Sequence, residues 1–228
     1  MSEIIAIVGQ TGSGKSTSIE NLDPKVTVII GCTNKALPFR GWKKKYVSGK
    51  GGNYLISTDS KTIVLGLKSL SENRPEIKNI IIDDFQYLMS TEFMNRSDEK
   101  GANGWDKYID IARHAWDVIT VARELREDIK VFFLTHDETI QESFAPKRKI
   151  KTVGKMLDEK VTLEGLFTTV LFTDVSKNTE TGEIEYRFIT QNDGSTTGKS
   201  PKGMFEELLI PNDLVFVVES IDNYNEGE

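Results

Sequence analysis

The stretch that decides the fold is Ile4-Ile5-Ala6-Ile7-Val8-Gly9-Gln10-Thr11-Gly12-Ser13-Gly14-Lys15-Ser16-Thr17. Its first five residues are continuously apolar, which is typical of a parallel strand buried on both faces. Residues 9–16 fit the pattern G-x-x-x-x-G-K-[ST], a phosphate-binding loop. Glycines let such a loop turn tightly and approach a phosphate, because a Cβ would obstruct both. The stretch therefore predicts a buried strand, a phosphate-binding loop and a helix over about residues 15–21.

This loop predicts the ligands of a nucleoside triphosphate and of Mg²⁺. We expect Lys15 to reach the β- and γ-phosphates and the Ser16 hydroxyl to bind Mg²⁺. The main-chain N–H groups of the loop, with the N-terminus of the following helix, form the predicted anion site. The predicted nucleotide-binding residues here are Gly9, Gln10, Thr11, Gly12, Ser13, Gly14, Lys15, Ser16 and Thr17.

A second motif, at residues 77–84, reads Ile-Lys-Asn-Ile-Ile-Ile-Asp-Asp. Its isoleucines predict a buried strand, and its two carboxylates follow at the edge where open α/β sheets bind ligands. This pattern matches a Walker B motif. We expect Asp83 to hold Mg²⁺, directly or through water, and Asp84 to polarise the attacking water. Solvated acids at the end of a strand are the alternative interpretation.

A third predicted strand, at residues 131–134, is followed by Thr135 and His136. His136 is expected to hydrogen-bond the γ-phosphate or the lytic water and to report its loss to the next loop. The alternative is a histidine that only caps the strand. His136 therefore joins Lys15 and Asp84 as a predicted catalytic residue.

Three polar segments are candidates for contacts with phosphates, although the net charge of the chain is −6. Residues 144–155 hold five cations, Lys147, Arg148, Lys149, Lys151 and Lys155. They suit DNA phosphates, or the triphosphate of a neighbouring subunit with one cation as an arginine finger, or a solvated hairpin. Residues 32–53 mix cations with aromatics, either for base stacking or as a flap packed on the domain. Lys199, in the loop 192–203, is expected to reach nucleotide in cis or in trans.

The remaining pattern predicts one α/β domain over residues 1–228. Further strands are predicted at 26–30, 54–57, 167–172 and 184–190, and further helices at 59–70, 105–126 and from 213 onward. Cys32 is the one cysteine, so no internal disulfide forms, which suits a reducing cytoplasm. No apolar run approaches the length of a membrane span, so we expect a cytoplasmic protein without a membrane partner.

The order of these motifs resembles the phage-encoded, AAA-labelled ATPases with a RecA-type core, which act in single-strand annealing or recombination. The residues that carry the resemblance are 9–17, 80–84, Thr135-His136 and Gly198-Lys199-Ser200-Pro201. The resemblance implies a RecA-like fold with a mainly parallel sheet and a C-terminal β-hairpin extension. It also implies ATP and Mg²⁺ as cofactors, single-stranded DNA as a partner, and assembly into a ring or filament in a bacterial host.

One departure from RecA concerns the catalytic base. RecA carries its catalytic glutamate after the strand that follows the phosphate-loop helix, whereas residues 30–34 here read Ile-Gly-Cys-Thr-Asn. We therefore expect either that Asp84 is the base or that hydrolysis is slow.

Other functions predict different behaviour. The main alternative is a helicase loader or another replication ATPase that acts on phage or host proteins and has little affinity for DNA. A small-molecule kinase is disfavoured because its lid needs clustered arginines, and a GTPase because residues 34–37, Asn-Lys-Ala-Leu, lack the aspartate that reads guanine.

Overall fold

A central sheet carries the predicted motifs. The computed structural model describes residues 1–99, 102–141, 145–153, 161–179 and 181–227, without the side chains of residues 102–105. Within these ranges eight strands form one sheet and two form a separate hairpin. The sheet contains β1 (Glu3–Val8), β2 (Thr27–Gly31), β3 (Tyr54–Ile56), β4 (Asn79–Asp83), β5 (Lys130–Thr135), β8 (Thr169–Lys177), β9 (Ile184–Ile189) and β10 (Leu209–Pro211). The hairpin contains β6 (Asp137–Gln141) and β7 (Pro146–Ile150).

The strand order across the sheet is β10-β9-β8-β1-β5-β4-β2-β3. Neighbouring strands from β8 to β3 run parallel, and β9 and β10 add antiparallel pairs at one edge. Because β5 lies between β1 and β4, the segments that follow these strands meet at one edge of the sheet. This topology confirms the predicted α/β, RecA-like fold, in which the β8–β9 hairpin extends the main sheet.

Hydrophobic side chains cover both faces of the sheet. Along β1, Ile4, Ala6 and Val8 face one core and Ile5 and Ile7 face the other. This is the continuous apolar pattern expected of a strand buried on both sides. The first core is closed by α2 (Ser60–Asn73) and α4 (Ala102–Arg123), and the second by α5 (Leu214–Glu226).

The helices α2, α4 and α5 begin within three residues of their predicted starts. Asp59 caps α2 by accepting a hydrogen bond from the Thr62 N–H at 2.8 Å, and Asp213 caps α5 in the same way from Val215 at 2.8 Å. The predicted helix over 105–126 is α4, which begins three residues earlier. We did not predict α3 (Gln86–Asn95) or β10, and Pro211 lies in β10 rather than at the start of α5.

The prediction of a helix over residues 15–21 is wrong. The chain forms a short 3-10 turn, Thr17–Ile19, instead. The Ser18 N–H bonds to the Gly14 carbonyl at 3.0 Å, but the next bonds span three residues rather than four. The segment is too short to repay helix nucleation before Asp23-Pro24 turns the chain into β2. The main-chain amides of the loop, rather than a helix dipole, therefore supply the polarity of the anion site.

The aromatic side chains of residues 32–53 pack on the domain, as one of the two interpretations predicted. Phe39 and Tyr46 are buried, and their rings meet edge to face at 6.4 Å. Trp42 begins a one-turn helix, α1 (Trp42–Lys45), and packs against Tyr54 at 5.6 Å. These rings are therefore part of the second core rather than a stacking surface for bases.

Two further features concern Cys32 and membrane spans. Cys32 is a free, buried cysteine, and burial strongly raises the pKa of its thiol. Along the described parts of the chain, none of the helices combines the length and the apolar character that a bilayer span requires.

Phe133 in β5 tests the first core. Its ring is fully buried between Phe85 at 5.1 Å and Phe167 at 5.3 Å. We expect Phe133→Ala to lower the free energy of unfolding by about 3–5 kcal/mol, because it leaves a cavity that the rigid sheet cannot close. Denaturant unfolding measures this loss, with the exposed Leu65→Ala as control. A loss for Phe133→Ala no larger than that of the control would contradict the packing described.

Candidate nucleotide-binding site

The phosphate loop leaves β1 at Val8 in a conformation that requires glycine at three positions. Gly12 and Gly14 have φ of 79° and 90°, in the left-handed region that favours glycine. A Cβ on Gly9 would lie 1.8 Å from the Thr173 Oγ1 atom, a distance no side chain tolerates. The Ser13 hydroxyl donates to the Gln10 carbonyl at 2.7 Å and closes the turn. Gln10, Thr11, Gly12 and Thr17 are exposed on the surface of this loop.

Lys15 lies buried inside the loop. Its Nζ atom donates to the Gly9 carbonyl at 2.7 Å and to the Gln10 carbonyl at 2.8 Å. Burial lowers the pKa of Lys15 to about 8, and the negative charges of Asp84 and Asp83 limit this decrease. The ammonium is thus held directly by neutral carbonyls, and the carboxylates of Asp83 and Asp84 act on it only through their charge.

Ser16 and Asp83 meet where Mg²⁺ is expected. The Ser16 hydroxyl donates to Asp83 Oδ1 at 2.8 Å, and the carboxylate is buried at the end of β4. Burial and the neighbouring charge of Asp84 raise the pKa of Asp83 to about 6. One carboxylate and one hydroxyl fit Mg²⁺, which keeps several waters and takes phosphate oxygens as further ligands. Across the described ranges no cluster of three or more His, Cys, Asp or Glu side chains would hold a metal unaided.

Asp84 has a strained backbone and a crowded carboxylate. Its φ is 59°, the one positive value among the described non-glycine residues. Such a conformation costs about 1–3 kcal/mol and persists only where the surroundings impose it. Asp84 Oδ2 accepts a hydrogen bond from the Thr33 hydroxyl at 2.9 Å and forms an ion pair with Lys35 Nζ. Asp84 Oδ1 lies 3.8 Å from His136 Nε2.

His136 completes this group at the end of β5. Burial and the nearby positive charge of Lys15 lower the pKa of His136, so its ring is neutral at neutral pH. The ring of Tyr87 packs edge to face against it at 6.1 Å. A neutral imidazole has one donor and one acceptor nitrogen, which suits a contact with phosphate or water.

Lys15, Ser16, Asp84 and His136 line one cleft of about 340 Å³, and Asp83 is hydrogen-bonded to Ser16 without lining it. It is lined by residues 11–17, Lys35, Ala36, Pro38, Asp84, Tyr87, His136 and Tyr186. The structure thus brings together the predicted catalytic residues Lys15, Asp84 and His136. Their roles in catalysis stay predictions.

A second cavity of about 330 Å³ adjoins the first at Gly14, Thr17 and Tyr186. Its other walls are Pro211, Asn212 and Asp213. The Tyr186 ring is 45% exposed, and the Asn212 Nδ2 atom is buried without a hydrogen-bond partner. An exposed aromatic face beside an unsatisfied amide donor suits a flat heterocycle that carries acceptor nitrogens.

The comparison with family models decides the family of this chain. A model of AAA domains, AAA_24, matches residues 2–201. The chain belongs to the AAA_24 family. The match places it among the P-loop ATPases, in agreement with the phosphate loop and the acidic strand end. No curated protein matches the sequence.

One solved structure that resembles this AAA_24 chain is the KaiC-like protein PH0186 from the hyperthermophilic archaeon Pyrococcus horikoshii OT3. The TM-score is 0.48 at 10% sequence identity, and the alignment covers 82% of this chain and 77% of that chain.

Lys199 lies away from the nucleotide cleft of this AAA_24 chain. Its backbone pairs with Val170, which lies beside Ala6 rather than at the carboxyl end of β1. Burial lowers the pKa of Lys199, with the charge of Glu164 opposing this shift. The structure therefore does not bring Lys199 to the phosphate loop of its own chain, and a contact in trans stays a prediction.

The predicted basic loop, residues 144–155, contributes β7 to the hairpin that follows His136, so its residues 146–150 form a strand rather than a loop. Arg148 fastens this hairpin to the sheet: its Nε donates to Asp137 Oδ2 at 2.6 Å and its Nη1 to the Thr173 carbonyl at 3.0 Å. Lys149 Nζ lies 3.2 Å from Glu138. Lys147 is partly exposed and Lys151 is exposed, whereas Lys155 lies outside the described residues.

The sequence analysis did not single out four residues of the site, which are Thr33, Lys35, Tyr186 and Asn212. Thr33 and Lys35 follow β2, and the carboxyl-end rule for parallel strands would have pointed to them. Tyr186 and Asn212 follow no motif, because their place depends on how β9 and β10 fold back beside the phosphate loop.

Lys15 makes nucleotide affinity depend on pH. The anionic triphosphate binds the protonated ammonium, so affinity is full below the pKa of the free protein, about 8, and falls as pH rises above it. Calorimetric titration with ATP from about pH 7 to 9.5 measures this loss, which approaches about tenfold per pH unit. Lys15→Ala is the control, because its residual binding should lack this dependence. An ATP affinity of the wild type that stays constant over this pH range would contradict the role assigned to Lys15.

Asp83 makes metal binding depend on pH in the opposite direction. Mg²⁺ binds the ionised carboxylate, whose pKa is about 6, so the affinity for Mg²⁺ falls as pH decreases through that value. Titration of Mg²⁺ into the nucleotide complex at about pH 5.5 and 7.5 measures the change. In Asp83→Asn the affinity should be low at both pH values. An equal pH effect in that variant would assign the titration to another group.

Proposed function

We propose that this AAA_24 chain is a Mg²⁺-dependent ATPase that binds single-stranded DNA and acts in phage DNA recombination or strand annealing. The observation that carries the proposal is that Lys15, Ser16 and Asp84 line one cleft, with Asp83 hydrogen-bonded to Ser16. Phosphoryl transfer needs these three elements: a cation on the phosphates, a metal site and a group that orients the nucleophile.

Each residue has a defined part in hydrolysis. The loop amides and Lys15 hold the β- and γ-phosphates, and Ser16 with Asp83 would hold Mg²⁺, which neutralises developing charge on the phosphate oxygens. Asp84 orients a water and accepts its proton as the water oxygen bonds to the γ-phosphorus. The bond from that phosphorus to the bridging oxygen breaks, which releases ADP and phosphate.

The second cavity supports a place for the base. A nucleotide whose phosphates lie on the loop would direct its ribose and base past Thr17 toward Tyr186. The ring of Tyr186 would stack on the base, and the unsatisfied Asn212 Nδ2 would donate to an acceptor of the base or ribose. Adenine rather than guanine is proposed, because no guanine-reading motif follows in the sequence.

The connection from His136 to the hairpin supports coupling to DNA. The Lys151 N–H donates to the His136 carbonyl at 2.9 Å, so the predicted phosphate sensor and the basic hairpin share backbone contacts. Lys147 and Lys151 offer positive charge to a phosphate backbone. Loss of the γ-phosphate would shift His136 and, with it, these lysines.

Assembly into oligomers is part of the same proposal. Tyr186 of the β8–β9 hairpin lines the nucleotide cleft, and Val175 and Ile184 are further exposed apolar residues of the same hairpin. Such residues suit contact with a second subunit, which would place the nucleotide at the interface. A ring or filament would follow from repetition of this contact.

A protein-directed switch is the second candidate, and one observation favours it. Arg148 and Lys149 lie against Asp137 and Glu138, so part of the positive charge of the hairpin is offset within the chain. A helicase-loader-like ATPase would bind its partner through this hairpin without much affinity for DNA.

The test is ATP hydrolysis with and without single-stranded DNA at two salt concentrations. We expect DNA to stimulate hydrolysis, and higher salt to weaken the stimulation, because phosphate contacts release counterions. Lys15→Ala and Asp84→Asn should each lose about 100-fold or more of the basal rate.

Hairpin variants separate DNA coupling from catalysis. The double variant Lys147→Ala/Lys151→Ala should keep the basal rate and lose the DNA response. The matched control is Lys61→Ala/Lys68→Ala, which removes two exposed lysines from α2. Basal hydrolysis without any response to DNA in the wild type would favour the protein-directed switch, and no hydrolysis at all would reject the ATPase proposal.

A further inference from the structure

The cleft contains a second lysine that the known elements of a phosphate loop do not account for. Lys35 lies in the segment after β2 and lines the same cleft as Lys15. Its ammonium forms an ion pair with Asp84 Oδ2, on the side of the carboxylate away from His136. Two cations therefore face the place where the phosphates would bind.

The two partners of this ion pair differ in their freedom. The side chain of Lys35 is 55% exposed, whereas that of Asp84 is 2% exposed and is fixed by its strained backbone. If the pair opens, the lysine is therefore the partner that moves. Burial is the largest single effect and lowers the pKa of Lys35, but the hydrogen bond to Asp84 and the negative charges of Asp84 and Asp83 together outweigh burial, so the net pKa is raised. Lys35 thus remains a cation at neutral pH.

Asp84 keeps a partner when Lys35 leaves. The Thr33 hydroxyl donates to the same Oδ2 atom at 2.9 Å, two residues before Lys35 in the chain. A buried carboxylate without any partner is energetically costly. Here the hydroxyl limits that cost, so the ion pair is exchangeable.

A bound triphosphate attracts the Lys35 ammonium more strongly than Asp84 does. Its terminal phosphate carries more negative charge than one carboxylate and offers three acceptor oxygens, and Lys15 with Mg²⁺ offsets only part of the total. Long lysine side chains reach such oxygens as mobile point charges.

We infer that Lys35 is a second phosphate-binding cation, specific for the γ-phosphate, which rests on Asp84 until ATP enters the cleft. The inference rests on the proposed ATPase function and adds a residue to it. One movement then does two things: it places positive charge on the terminal phosphate and frees Asp84 Oδ2 to accept a proton from water. ADP, which lacks that phosphate, leaves Lys35 on Asp84.

The experiment measures binding rather than turnover. Calorimetry gives the affinities for ADP and for an ATP analogue with a non-hydrolysable β–γ link, in wild type and in Lys35→Met. We expect Lys35→Met to weaken the analogue by about 10- to 100-fold, the loss of one charge-assisted contact, and to change the affinity for ADP by less than about threefold.

Two further variants guard against misfolding and against a general charge effect. Asp84→Asn/Lys35→Met, compared with Asp84→Asn alone, removes Lys35 without leaving an unpaired carboxylate, and should show the same selective loss. Lys44→Ala removes an exposed lysine from the same segment and should leave both affinities unchanged. Lys35→Arg, which keeps the charge, should restore most of the preference for the analogue.

The outcomes separate this inference from the proposed function. The inference stands if wild type binds both nucleotides, Lys15→Ala loses affinity for both, and Lys35→Met loses affinity for the ATP analogue only. Equal losses of the two nucleotides, or no loss, would overturn it and leave Lys35 as a fixed partner of Asp84. If wild type binds neither nucleotide, the proposed function itself fails.

Discussion

Two carboxylates buried side by side at the end of β4 are the constraint on which the site depends. Asp83 and Asp84 are both almost inaccessible to water, and neighbouring like charges in such a place repel strongly. Each carboxylate has its own partners in the surrounding chain. Ser16 binds the first, and Thr33 with Lys35 binds the second. The two side chains thus have different partners, and the proposed function assigns Asp83 to the metal and Asp84 to the water.

The sheet topology explains how these partners arrive from distant parts of the sequence. Insertion of β5 between β1 and β4 sets His136 between the phosphate loop and the acidic pair. β2 on the far side of β4 delivers Thr33 and Lys35. Parallel strands end at the same edge, so four segments from separate regions of the chain converge without any long side chain having to cross the core.

The sequence predicted the parts of the fold whose signals are local. Continuous apolar runs identified β1 and β4, glycine spacing identified the phosphate loop, and Asp213 marked the start of α5. The signals failed where a tertiary partner decides the outcome. The sequence after Lys15 predicts a helix, but the segment before Pro24 is short and forms only a 3-10 turn. Helix α3 was not predicted because its sequence has no clear apolar stripe. The charge run at 147–151 predicted a basic surface, but nothing local showed that Arg148 would hold Asp137. The cavity at Tyr186 was equally invisible, because its walls are far apart in sequence.

That cavity has a consequence for how the protein acquires its binding properties during synthesis. Its floor, Asn212, leaves the ribosome about 200 residues after Gly14, and it lies beyond the residues 2–201 that define the family match. Asp213 also accepts a hydrogen bond from Asn21 at 2.8 Å, which ties this late segment to the first turn after the loop. If the nucleotide binds as proposed, the walls of the phosphate cleft are therefore synthesised before the last wall of the base cavity. The proposed selectivity for the nucleoside would then depend on the last part of the chain to be made.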